Sequence, residues 1–303
     1  MNQLSILTFL GILIFGSSCG GEQTEQPINT DTSAVSADTV LTAPQLTLLW
    51  ETDTTLTTCE SALNVPGQGT IFVSCIDGDP TKKDGNGFIS KVDATGKIEV
   101  LKWSQGKLNA PKGMGVLDNT LFVTDIDEFV KIDLNTGKIT KKIKVPGAVF
   151  LNDVTVAADE KAVYFSDSEA STIYRFSNDS VTVWMKDTIQ APNGLLHMGN
   201  KMYVASFQGD FKSVDPASKK VSQVVNGIGG GDGVVYSKKN NQFLVSNWHG
   251  EVFAITADGQ LKKILDTKEA KLNAADIDYN EAKNLVLVPS FFGNKLMAYE
   301  VKW

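Results

Sequence analysis

Six phrases in the sequence open on residues that could act together: Glu60-Ser-Ala-Leu, Lys112-Gly-Met-Gly-Val, Asn152-Asp-Val-Thr-Val, Asn193-Gly-Leu-Leu, Asp232-Gly-Val-Val and Ala275-Asp-Ile-Asp. Their first residues are separated by 52, 40, 41, 39 and 43 positions. Four of those six first residues are oxygen donors, two carboxylates and two amides. Gathered in one place, Glu60, Asn152, Asn193 and Asp232 would suit one hard divalent cation, Ca²⁺ better than Zn²⁺, because such ions take carboxylate and amide oxygens in irregular numbers. With only two His and three Cys, the chain has no zinc-finger or iron–sulfur arithmetic. Asn and Asp before Gly are also ordinary turn formers, so spacing alone leaves a metal site and a set of turns both open. There is no Gly-x-Ser-x-Gly elbow, P-loop or dinucleotide fingerprint, which removes support for acyl-serine, nucleotide and nicotinamide chemistry. A net charge of −7 without a basic cluster argues against a nucleic-acid partner.

Elements able to bring these six positions together are visible in the spacing itself. Leu46–Trp303 has almost no helical periodicity and divides into six units averaging 43 residues, the period of a four-stranded propeller blade. Each phrase leads into an apolar or β-branched second strand: TIFVSCI (70–76), TLFVTDI (120–126), AVYFSDS (162–168), KMYVASF (201–207), QFLVSNW (242–248) and NLVLVPSF (284–291). Third strands such as EFVKIDL (128–134) and fourth strands such as KITKKIK (138–144) follow, separated by Asp-rich turns. The sixth unit stops after its third strand, KLMAYEV (295–301), while LTLLWET (46–52) is unassigned at the start. The expected fold is therefore all-β, a six-bladed β-propeller whose N-terminal strand closes the ring in the last blade, removing a free edge. Starts of the inner strands then converge on one mouth of the central channel. Loops after the second strands open on the same face and are expected to form an aromatic, acidic rim from Asp77, Asp125, Asp127, Asp167, Phe207, Asn247, Trp248, His249, Phe291 and Phe292. His249 reads either as a proton shuttle near Asp232 or as an exposed loop histidine. His197, inside a strand, reads as structural.

The motifs CESALN around Glu60, FLNDVTV around Asn152, APNGLL around Asn193 and GGDGVV around Asp232 resemble those of the gluconolactonase/regucalcin family of six-bladed propellers. That resemblance implies one divalent cation, commonly Ca²⁺, held by Glu60, Asn152, Asn193 and Asp232. It further implies hydrolysis of a lactone or ester, with Asp232 as general base. Phe150 stands where sugar-lactone hydrolases of the family carry an Arg that contacts substrate, and Lys112 either points a cation toward the mouth or curls away on its long stem to reach water. The implied small molecule is thus more apolar or carboxylate-bearing than a sugar lactone, and Lys112, Phe150, Trp248 and Phe291 are its expected contacts. A competing reading is a noncatalytic propeller that binds a glycan, peptide or protein partner through its rim.

The N-terminal part reads as an export device. Residues 4–15 form an apolar run too short to span a bilayer, and Gly16-Ser-Ser-Cys19 after it resembles a bacterial lipobox. Residues 1–18 are expected to be a signal peptide, with Cys19 lipidated and 19–45 a polar, acidic tether without Lys or Arg. The chain is then an exported monomer, anchored to a bacterial membrane only through its lipid and facing the periplasm or the exterior. Cys59 and Cys75 lie symmetrically about Gly67 in the first hairpin, so in an oxidising compartment they are expected as a disulfide, with two buried thiols as the alternative.

Overall fold

The second strands are apolar at nearly every position because both of their faces are buried. Along such a strand successive side chains point to opposite faces. Ile71 and Val73 pack with Leu287, Leu296 and Ala298, while Phe72 between them packs with Met114, Leu121 and Val123. The same alternation fills the wedge between every pair of neighbouring sheets with one apolar cluster, six in all. The stacking is rich in rings: Phe129 lies on Phe165 with centroids 4.2 Å apart, tying the second and third sheets together.

The computed structural model describes residues 43–303. The apolar run at 4–15, Cys19 and the segment as far as residue 42 lie outside the described residues. Residues 43–303 form six antiparallel sheets of four strands, a six-bladed β-propeller. Innermost strands of blades 1 to 6 are Cys59–Val65, Pro111–Leu117, Leu151–Ala157, Pro192–Met198, Gly231–Ser237 and Asp278–Asn280. The strand Gln45–Glu51 pairs antiparallel with Lys295–Lys302 and supplies the outer strand of blade 6, so the ring closes as the leftover N-terminal strand required.

Blade 6 departs from the expected pattern at its inner edge. Ala275 and Asp276 precede the short strand Asp278–Asn280, and Asp276 pairs in parallel with Ser61 of blade 1. Its N–H donates to the Glu60 carbonyl at 3.0 Å, and the Ala62 N–H donates back to its carbonyl at 3.3 Å. The segment that leads into the last inner strand is therefore stitched to the first inner strand, its neighbour where the ring closes.

Cys59 and Cys75 do sit directly opposite each other in the first hairpin, but both sulfurs are free thiols, which corrects the expected disulfide. Cys59 turns its Sγ outward to the carbonyls of Lys295 at 3.2 Å and Ser290 at 3.5 Å in blade 6. Cys75 instead faces the Ser90 hydroxyl at 4.0 Å. Burial raises both thiols, that of Cys59 to about 12, so neither is poised as a thiolate.

Candidate functional site

One structural device, repeated in blades 1 to 5, sets the site. At the start of each innermost strand the pairing with the second strand slips by one residue, a β-bulge. The slip falls at Glu60, Lys112-Gly113, Asn152-Asp153, Asn193-Gly194 and Asp232-Gly233. A hydroxyl on the second strand takes up the N–H that the bulge frees. Ser74 accepts from Ser61 N at 3.0 Å, Ser166 from Asp153 N at 2.9 Å and Ser246 from Gly233 N at 2.8 Å. Ser166 and Ser246 then donate to the Asn193 and Ala275 carbonyls of the next blade, at 2.8 and 2.7 Å. Thr124 donates likewise to the Asn152 carbonyl.

Because of the bulge, consecutive residues serve different sides of the axis. In blade 3, Asn152 lines a cavity of about 520 Å³ at the mouth, whereas Asp153 lines a second cavity of about 330 Å³ on the far side. Glycines make the pinch between them. A Cβ on Gly194 would lie 1.8 Å from the Asp232 carbonyl oxygen, and one on Gly233 would lie 2.3 Å from Ile277 N. Only glycine lets the strands approach this closely.

All four expected oxygen donors, Glu60, Asn152, Asn193 and Asp232, line the mouth cavity, and all four side chains are buried. Glu60 Oε2 and Asn193 Oδ1 have no hydrogen-bond partner, which is costly for buried oxygens. Asn152 spends its Nδ2 on Ser168 Oγ at 3.2 Å, which leaves its oxygen for the cavity. Burial first, then the charge of Asp276, pushes the Glu60 carboxyl up to about 8, with Lys112 pulling the other way. Burial, Glu60 and Asp276 raise Asp232 well above the usual carboxylate range, against a hydrogen bond from Asn193. Among the described residues no three His, Cys, Asp or Glu side chains converge to hold a metal. The donor set here has two carboxylates and completes itself with two amides. Unpartnered buried oxygens, net negative charge and hard donors fit a hard divalent cation at this position.

The expected contacts Lys112, Phe150, Trp248 and Phe291 also line the cavity. Lys112 does not curl to solvent. It is buried, donates to the Ala110 carbonyl at 3.2 Å and the Pro80 carbonyl at 3.5 Å, and places its Nζ 4.2 Å from the centre of the Phe150 ring. Burial lowers it to about 8, opposed chiefly by Glu60.

His249 is not brought to the cavity. It is exposed on the loop and packs against Gly230, so the proton-shuttle expectation finds no support in its position. His197 faces Glu160 at 3.3 Å and stacks on Tyr164, away from the mouth, as expected of a structural residue.

The expected rim is half right. Phe207, Trp248, Phe291 and Phe292 line the cavity, but the acidic part does not. Asp125 is buried and accepts from Asn109 N and Ala110 N, Asp167 is buried and accepts from Val149 N and Phe150 N, and Asn247 accepts from His249 N and Glu251 N. These residues hold loops in place. Asp77 pairs with Lys102, and Asp127 with Lys83 and Lys144. Ser168 and Glu169 of blade 3 and Pro80 of blade 1 were missed as cavity residues, and only their position after the second strands could have signalled them.

No family model and no curated protein sequence matches the chain. Among solved structures, it is similar to a catalytically inactive virginiamycin B lyase from Staphylococcus aureus with quinupristin. The TM-score is 0.58 at 13% identity, over 85% of this chain and 98% of that one. A streptogramin B lyase structure gives 0.59, also at 13% identity, over 86% of this chain and 97% of that one. The likeness shows a β-propeller fold. At that identity it carries the architecture and no site residue.

Proposed function

We propose that this propeller is a divalent-cation-dependent hydrolase of a lactone or ester. The observation that carries the reading is the pair of buried, unpartnered oxygens, Glu60 Oε2 and Asn193 Oδ1, facing the same cavity as Asn152 and Asp232. Glu60, Asn152, Asn193 and Asp232 would hold the ion, with Ca²⁺ the best match to their chemistry. When bound, such a cation polarises a substrate carbonyl and stabilises charge on its oxygen.

The chain's own groups supply the proton chemistry. Asp232 accepts a proton from water as the water oxygen bonds to the carbonyl carbon. It returns the proton to the alkoxide oxygen as the acyl C–O bond breaks. The aromatic wall keeps bulk water away from the reacting carbonyl. Catalysis on the similar propellers, named as lyases, agrees in general with an enzymatic use of the fold. Export and lipid anchoring, implied by residues 1–45, would place the activity outside the cytoplasm.

A noncatalytic binding propeller is the second reading, favoured by the exposure of Phe292 at 68% and Phe207 at 44% on the rim. Metal analysis of the purified protein, together with hydrolysis of a lactone and aryl-ester panel with and without chelator, separates the two. About one divalent ion per chain and chelator-sensitive hydrolysis are expected. Absence of metal at micromolar Ca²⁺ overturns the hydrolase reading, as does a melting midpoint insensitive to Ca²⁺, since an ion bound only by the folded state must raise stability.

A further inference from the structure

The mouth cavity is built in two unlike halves. Blades 4 to 6 contribute a wall of rings: Phe207, Trp248, Phe291 and Phe292. Trp248 meets Phe291 edge-on with centroids 4.9 Å apart, and Phe291 meets Phe292 edge-on at 5.1 Å, so each ring fixes the next. Two of these rings, Phe207 and Phe292, keep much of their surface open to solvent. Blades 1 to 3 contribute instead a buried ammonium, Lys112, seated over Phe150.

That ammonium has three N–H donors, and the structure gives it two protein acceptors, the carbonyls of Ala110 and Pro80. One donor is left for whatever enters the cavity. The charge itself is balanced by nearby carboxylates, Glu60 first and then Asp125, Asp167 and Glu169, and by the Phe150 ring, so what remains open is a single N–H without an acceptor in the protein. The cavity of about 520 Å³ lies within the range that small ligands fill, roughly 300–1,000 Å³.

We infer that the natural ligand is amphiphilic, a small molecule with an aryl or similarly flat apolar group on the Trp248–Phe292 wall and a carboxylate reached by the free donor of Lys112. This deepens the hydrolase reading and rests on it, naming the substrate class as an aryl-bearing lactone or ester with a carboxylate. A polyhydroxylated sugar lactone offers such a wall only its C–H faces and has no carboxylate for Lys112.

The inference is testable without turnover. Phenylacetate and 2-phenylethanol form a charged and neutral pair of matched shape, and their binding to the purified protein can be titrated calorimetrically in chelator. Phenylacetate is expected to bind at least about tenfold more tightly, the value of one charge-assisted hydrogen bond. Lys112→Met should abolish that preference, weakening phenylacetate far more than 2-phenylethanol. Should Lys112→Met fail to fold, Phe292→Ala provides an independent arm, because its side chain is largely exposed: it should weaken both ligands by a similar factor. Equal affinity for the pair, or a preference that survives in Lys112→Met, overturns the carboxylate assignment. Unchanged affinities in Phe292→Ala overturn the apolar half. If phenylacetate binds as expected but no ester or lactone is cleaved, the hydrolase reading fails and the ligand class stands. If esters are cleaved with neutral sugar lactones preferred, the ligand class fails and the hydrolase stands.

Discussion

Asp232 and Asp153 each lie within the bulge that opens an innermost strand, both are buried, and burial raises both well above the ordinary carboxylate range. They nonetheless live on opposite sides of the pinch. Asp153 accepts from Val154 N and from Leu195 N of the next blade, both at 2.5 Å. Asp278 on the same side accepts from Asn64 N and Tyr279 N, at 2.6 and 2.7 Å. The far-side carboxylates thus stand in for a ladder that the bulges interrupt, and they belong to the framework. On the mouth side, Asp232 has only Asn193 beside it and Glu60 has an oxygen with nothing to bond. Asp127 Oδ1 is also unpartnered, but its carboxylate is paired with Lys83 and Lys144 outside the cavity; at the mouth, the open acceptor of Glu60 faces a cavity that a ligand can enter.

Substitution should separate the two sides. Asp232→Ala is expected to lose about 10³-fold in ester or lactone hydrolysis, typical of removing a general base, with a melting midpoint in chelator no lower than that of the parent. Asp153→Ala should do the reverse. Two backbone N–H groups lose their acceptor, which costs about 2 kcal/mol in a urea titration, while turnover of the folded fraction persists. Equal destabilisation by both changes would break the contrast.

A smaller effect follows from pH. Asp276 is raised to about 7 by burial, with Asp278 adding to it and Ser61 opposing, and Glu60 is raised to about 8. Both groups keep protons in the folded state that the unfolded chain releases near pH 4. On account of these two groups the folded state binds more protons across roughly pH 4–8, and their contribution to stability is fully present below that window and is lost as pH rises through it. Ca²⁺ held beside Glu60 would favour its ionised form. Melting midpoints measured across this range should decline in chelator, and decline less steeply with Ca²⁺. A midpoint that rises with pH in chelator would show that these carboxyls are ionised in the folded protein.

Much of this was legible beforehand because repeated residue types carry it. The six phrases, the apolar second strands and the leftover strand at 46–52 each depend only on local pattern, and the closing strand Gln45–Glu51 lies within one residue of its expected place. The ring of Glu60, Asn152, Asn193 and Asp232 was readable for the same reason. What escaped depends on register. A one-residue slip decides that Asn152 and Asp153 serve different cavities, and nothing in the order of the two residues announces it. Asp125 and Asp167 looked like rim acids because they follow second strands, yet the loops turn their own N–H groups onto them. Lys112 looked equally able to reach solvent, and only the converging carbonyls and the Phe150 ring hold it in. The free thiols of Cys59 and Cys75 show that facing positions in a hairpin do not decide where two side chains turn.

Pairing of Gln45 with Lys302 has a further consequence. Opposed residues in antiparallel strands lie only about 5 Å apart, so the ring begins and ends at almost the same point. A short linker from residue 303 back to residue 44 would make the propeller circular, and a new opening between any two blades would give a permuted chain with every sheet and every mouth residue kept. The order in which the blades are synthesised is therefore separable from the order in which they surround the axis.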